Sequence, residues 1–133
     1  MSTLEIERLD GVPVAHVTED LDVANAAEVQ RQLDGALGPD ASSLVVDLSA
    51  TRYLDSAAID MLLRLGNRLE HRRAQLILVI PEASQVMRLA VIVGLPDAIA
   101  VRSTLPAALQ QAANARSVPA ATSQPAPGGS AAG

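Results

Sequence analysis

LVVDLSATRYLDSAAIDMLL, Leu44 to Leu63, sets a short apolar run directly before a helical one. The first part is valine-rich and uninterrupted, the pattern of a strand buried on both faces. In the second part, continued a little further, Ile59, Leu62, Leu63, Gly66 and Leu69 share one helical stripe. Asp60, Arg64 and Arg68 lie opposite, with Asp60 and Arg64 one turn apart. The hinge between the two is Asp55-Ser56. Open α/β sheets present functional groups where the carboxyl end of a strand gives way to a helix, so fold and candidate site turn on the same residues.

Upstream, TLEIERL alternates apolar and polar, Asp10-Gly11 follows, and VPVAHV comes next. Asp-Gly between such runs signals a hairpin, with antiparallel strands expected at about 3–9 and 12–18. Val29, Leu33 and Leu37 recur at helical spacing, with Asp22 or Asn25 as cap and Gly38-Pro39 as stop. Downstream, QLILVI reads as a buried strand ended by Pro81. EASQVMRLAVIVG reads as a helix with Val86, Leu89, Ala90 and Val93 inward and Gly94 at its C-terminal cap. AIAV is a short last strand, and TLPAALQQAANA a last helix capped by Thr104. The expected order is ββαβαβαβα: an α/β domain with a mixed, mostly parallel sheet of four to five strands and four helices. The domain is expected over 1–115. Residues 116–133, rich in Pro, Ala, Gly and Ser without periodicity, read as a disordered tail.

Composition narrows the function classes. Hydrophobic residues make up 49% of the 133 but aromatics only 1%, so the core must be aliphatic. Few rings and a net charge of -5 argue against single-stranded nucleic acid, phosphate backbones and anionic membrane surfaces as partners. Without Cys, disulfides, thiolate zinc sites and cysteine nucleophiles are excluded. The basic residues are all Arg; without Lys there is no Walker-type loop and no lysine catalysis. The charged N-terminus and the lack of any apolar run near the roughly 20 residues of a membrane span lead to the expectation of a cytoplasmic protein.

Ser56 has two readings. It can be an N-cap hydroxyl that satisfies orphan amides, or a hydroxyl open to modification, where a phosphate would meet those amides and the positive end of the helix dipole. A serine hydrolase would need a histidine base. His16 falls inside a strand, and His71 lies at the far end of a helix about 22 Å long. The flanks are not G-x-S-x-G either. Asp47 invites comparison with a phosphoacceptor aspartate but lacks the lysine and acidic pair that chemistry needs; it reads as a structural strand-end acid. Asp20 and Asp22 could attract a cation, but two loop carboxylates make no metal site, and neither metal nor cofactor is expected.

Three stretches together resemble the STAS-domain anti-sigma factor antagonists of bacteria. The family's loop before its first helix reads Gly-Glu-(Leu/Ile)-Asp; EDLDVANAAEV matches at Leu21 and Asp22, with Glu19-Asp20 in place of Gly-Glu. The family's signature is an apolar residue followed by Asp-Ser-(Ser/Thr)-Gly-(Leu/Ile). Here it is LDSAAI, with Asp55 and Ser56 matching and Ala57 and Ala58 replacing the next two. The third stretch, Val-x-Arg-Leu, four residues, then Gly-Leu, is matched in full by VMRLAVIVGL. The resemblance spans about residues 4–113 and implies the STAS fold.

It also implies a function. Such a protein is not an enzyme. It binds an anti-sigma factor that is also a serine kinase, and so frees a sigma factor for transcription. The kinase inactivates it by phosphorylating the serine matched by Ser56, and a PP2C-type phosphatase reverses this. Partner contacts would then involve Asp20, Asp22, Asp55, Ala57 and Ala58, with Met61 and Leu65 as either exposed apolar contacts or core-rim packing. A methyl at Ala58 would slow phosphorylation if the kinase must approach closely there. The alternative is a STAS scaffold or accessory subunit, never phosphorylated, in a stress-signalling or lipid-transport complex.

Overall fold

The computed structural model describes residues 3–39 and 41–117. The hairpin forms around Asp10-Gly11, both with positive φ, and joins β1 (Leu4–Leu9) to β2 (Val12–Val17). Then follow α1 (Ala26–Ala36), β3 (Ser43–Asp47), α2 (Ser56–His71), β4 (Gln75–Val79), α3 (Gln85–Ile92), α4 (Leu95–Ala98), β5 (Ala100–Arg102) and α5 (Leu105–Ser117). The sheet runs β1-β2-β3-β4-β5, with β1 antiparallel at one edge and the other strands parallel. The α/β architecture is the one expected, with one addition. Four residues after Gly94 form the extra helix α4, so the expected fourth helix is the fifth. The last helix also reaches Ser117, past the boundary expected at 115. The rest of the expected tail lies outside the described residues.

Two aliphatic cores sandwich the sheet. On one face Ala15, Val17, Leu44, Val46, Leu76 and Leu78 meet buried residues of α1, α2, α3 and α4. On the other, Val12, Val14, Val45, Ile77 and Val79 meet Ala108 and Ala112 of α5. Each fully buried Val or Leu contributes about 1.5–3 kcal/mol, so no aromatic residue is needed. Because α5 packs over β3, β4 and β5, the β1–β2 end of its face carries polar side chains: exposed Glu5 and Glu7 and half-buried His16.

The inward stripe of α2 differs from the expected one. Ala58, Met61, Leu62, Leu65 and Leu69 are buried, while Ile59 is half-buried and Leu63 is exposed. Apolar residues make up half of this helix, so two overlapping stripes fit its periodicity. The helix presents the Met61–Leu65 side inward, and Arg68 on the adjoining side pairs with Asp34 of α1 at 2.6 Å. Val86 and Ala90 of α3 point inward as expected, but Val93 is 46% exposed. Gly94, with φ +77°, turns the chain in the left-handed region open to glycine, and Leu95 fills the core in place of Val93.

Candidate functional site

At the carboxyl end of the parallel strands, the β2–α1 loop and the β3–α2 loop run side by side. Leu21 and Leu54, both fully buried, form a short parallel bridge. The Leu21 amide donates to the Tyr53 carbonyl at 3.1 Å, and the Asp55 amide donates to the Leu21 carbonyl at 3.1 Å. Side chains complete the seam. The Thr51 hydroxyl donates to the Glu19 carbonyl at 3.1 Å, and the Arg52 amide to Asp20 Oδ1 at 2.8 Å. Within the first loop, Asp22 Oδ1 accepts from the Ala24 amide and Asn25 Oδ1 from the Asp22 amide, each at 2.9 Å. Asn25 flanks α1 without capping it through its side chain.

The cap of α2 is Asp55. Its Oδ1 accepts from the Ala58 amide at 3.0 Å, satisfying one of the orphan donors of the first turn. Its Oδ2 accepts from the Val23 amide at 2.9 Å, so one carboxylate caps the helix and holds the neighbouring loop. Ser56 is the first helical residue and is exposed. The capping reading of Ser56 is corrected: among the described residues its hydroxyl has no hydrogen-bond partner. A hydroxyl here stands at the positive end of a 16-residue helix.

The remaining candidates separate by burial. Asp20 and Asp22 are half-buried at the loop seam and border a hollow of about 380 Å³ that Glu19 and Arg52 also line. Ala57 is half-buried beside Ser56. Ala58, Met61 and Leu65 are 0–1% exposed, so the expected surface contact at Ala58 is corrected, and of the two readings of Met61 and Leu65 the packing one holds; all three lie in the core. The surface near Ser56 is apolar for another reason. Val23 is 76% exposed and Tyr53 56%, and both belong to the hydrogen-bonded seam around Asp55. Sequence reasoning missed them, although the chain's only aromatic residue, placed three positions before the serine, was a usable signal.

Neither histidine can serve Ser56 as a base. His71 ends the far side of α2, and both ring nitrogens of His16 are held by Asp47 and Glu7. Burial is the largest single influence on His16 and lowers its pKa. The hydrogen bonds and charges of Asp47 and Glu7 together outweigh it and raise the value above the ordinary one. Burial likewise pushes Asp47 up, but hydrogen bonds from Ser49 and the contact with His16 bring it below the usual carboxylate range. Asp47 is thus held ionised at the end of β3, between Ser49 and His16. Among the described residues, no group of three or more His, Asp or Glu is arranged to hold a metal, and no helix is long and apolar enough to cross a membrane.

The STAS domain family matches the chain over residues 3–108. No curated protein sequence matches it. Among solved structures, an anti-sigma factor antagonist from Mycobacterium paratuberculosis superposes with a TM-score of 0.74 at 24% identity, covering 84% of this chain and 93% of that one. The anti-sigma factor antagonist SpoIIAA in its unphosphorylated form superposes with a TM-score of 0.60 at 15% identity, covering 84% and 97%. The murine Slc26a9 anion transporter, in its inward-facing state, gives a TM-score of 0.68 at 22% identity over 81% of this chain and 18% of that one. At these identities the likeness to the solved structures carries the fold.

Proposed function

The chain belongs to the STAS domain family, and from that we propose that it is an anti-sigma factor antagonist switched by phosphorylation at Ser56. Unmodified, it binds an anti-sigma factor serine kinase and frees a sigma factor; a PP2C-type phosphatase restores it after phosphorylation. It is ligand and substrate rather than enzyme, and the nucleotide belongs to the kinase. The observation that carries this reading is the division of labour at the start of α2. Asp55 caps the helix, which leaves the exposed Ser56 hydroxyl free for transfer. The structural likeness to antagonists, one of them described in its unphosphorylated form, points the same way.

The switch follows from local charge. A phosphate adds about -1.5 to -2 charges beside Asp55 and within reach of the loop that carries Asp20 and Asp22. The amides and dipole of α2 favour it, so the fold tolerates it. A partner docked over Val23, Tyr53 and Ser56 has to desolvate it next to carboxylates, which costs binding. The buried Ala58 methyl leaves the kinase's approach clear.

The second reading, a STAS accessory domain that is never phosphorylated, draws on the likeness to the domain within the Slc26a9 transporter. Incubation with candidate anti-sigma kinases and ATP separates the two. A gain of about 80 Da mapped to Ser56, and absent in Ser56→Ala, supports the switch. Tight binding without transfer supports the accessory domain.

A further inference from the structure

Away from Ser56, His16 sits between carboxylates on both neighbouring strands. Its Nδ1 lies 2.8 Å from Asp47 Oδ2 on β3, and its Nε2 lies 2.5 Å from Glu7 Oε2 on β1. An ionised carboxylate has no proton to give, and a neutral imidazole has one N–H. Only the imidazolium can donate to both. The other oxygen of Asp47 accepts from the Ser49 amide at 2.9 Å and from the Ser49 hydroxyl at 2.5 Å. Ser49 opens the loop that continues through Thr51 and Arg52, both tied to the β2–α1 loop, to Asp55 and Ser56.

The other charged groups on this face are few. Glu5 is the cross-strand partner of His16 on β1 and adds to the negative field. Beyond Asp47 the face continues through Val79 to Arg102 on β5, whose guanidinium donates to the Val101 carbonyl. On α5, above β3, no ionisable side chain occurs from Leu105 to Ala115.

We propose that Glu7, His16 and Asp47 form a proton-operated clasp that ties the edge strand β1, through β2, to the loop leading to Ser56. While His16 carries both protons, β1, β2 and β3 are cross-linked at the end of the sheet where that loop begins. When it loses one, a carboxylate faces an unprotonated nitrogen, one arm opens, and Asp47 holds the Ser49 turn less firmly. The raised His16 value and the lowered Asp47 value agree in sign with this arrangement. The clasp stands on strand geometry alone and does not depend on phosphorylation of Ser56.

The test is an NMR titration of the full chain carrying His71→Gln, in which His16 is the sole histidine. The midpoint should lie above about 6.5, and on its acid side both ring nitrogens should read as protonated. The Ser49, Thr51 and Arg52 amides should move with the same midpoint. Glu7→Gln, at an exposed position that leaves the core intact, should lower that midpoint by about half a unit or more. If His71→Gln does not fold, the wild-type chain serves, with the two histidine rings told apart by through-bond assignment to their own backbone amides. A midpoint at or below about 6.5, loop amides that ignore the titration, or no shift with Glu7→Gln would each overturn the clasp.

Discussion

At Ser56 the hydroxyl and the capping role belong to different side chains, and that separation can be measured. Ser56→Ala removes no hydrogen bond, so the urea midpoint should correspond to a change within about 0.5 kcal/mol; a loss well above that would mean the hydroxyl is structural after all. Asp55→Ala removes the cap and the tether to Val23, and should cost about 1–2 kcal/mol in the same assay. Ala58→Gly deletes a buried methyl and loosens the first turn, costing about 1–2 kcal/mol, and should leave the rate of phosphate transfer unchanged because the methyl faces the core. Much of this was legible in LDSAAI, which placed Ser56 at a strand-to-helix hinge. Which of two adjacent polar residues caps a helix depends on where the helical dihedrals begin, and Asp-Ser offers two good candidates in a row. The inward direction of the Ala58 methyl depended on which stripe of α2 the sheet would take.

The elements themselves were readable because their periods are clean: period two in β1, buried β-branched runs in β3 and β4, and capped helical stretches for α3 and α5. The last of these is held as read, with the Ala107 amide donating to the Thr104 hydroxyl at 3.2 Å. What periodicity could not settle was the rotation of α2, because its apolar residues span an arc wider than one stripe. It also missed α4, too short to show a period. Gly94 links the two cases. Its left-handed turn ends α3 early, leaves Val91, Ile92 and Val93 exposed and sends Leu95 inward. Gly94→Ala has open space for its methyl, so its cost is conformational, about 1 kcal/mol. A thermal melt that does not shift would contradict that assignment.

For the whole molecule, charge and pH bear on stability and partner binding together. The contribution of His16 is fully present below about pH 6.5 and is lost as pH rises through its raised folded value. That of Asp47 is present above about pH 4 and is lost as pH falls through its lowered value. The two describe one interaction and are not additive. Urea midpoints should therefore decline as pH rises above about 6.5, and Glu7→Gln should flatten that decline. Composition only excluded chemistries, through the lack of Cys and Lys, a single aromatic residue and a net charge of -5; the expectation of a protein partner came from the resemblance carried by LDSAAI and VMRLAVIVGL. The most direct test is calorimetric titration of a cognate anti-sigma kinase, without nucleotide, with the unmodified chain and with the chain phosphorylated at Ser56. Tight binding by the unmodified form and at least about tenfold weaker binding by the phosphorylated form, a difference of about 1.4 kcal/mol or more, is the expected result; equal affinities would contradict a switch at Ser56.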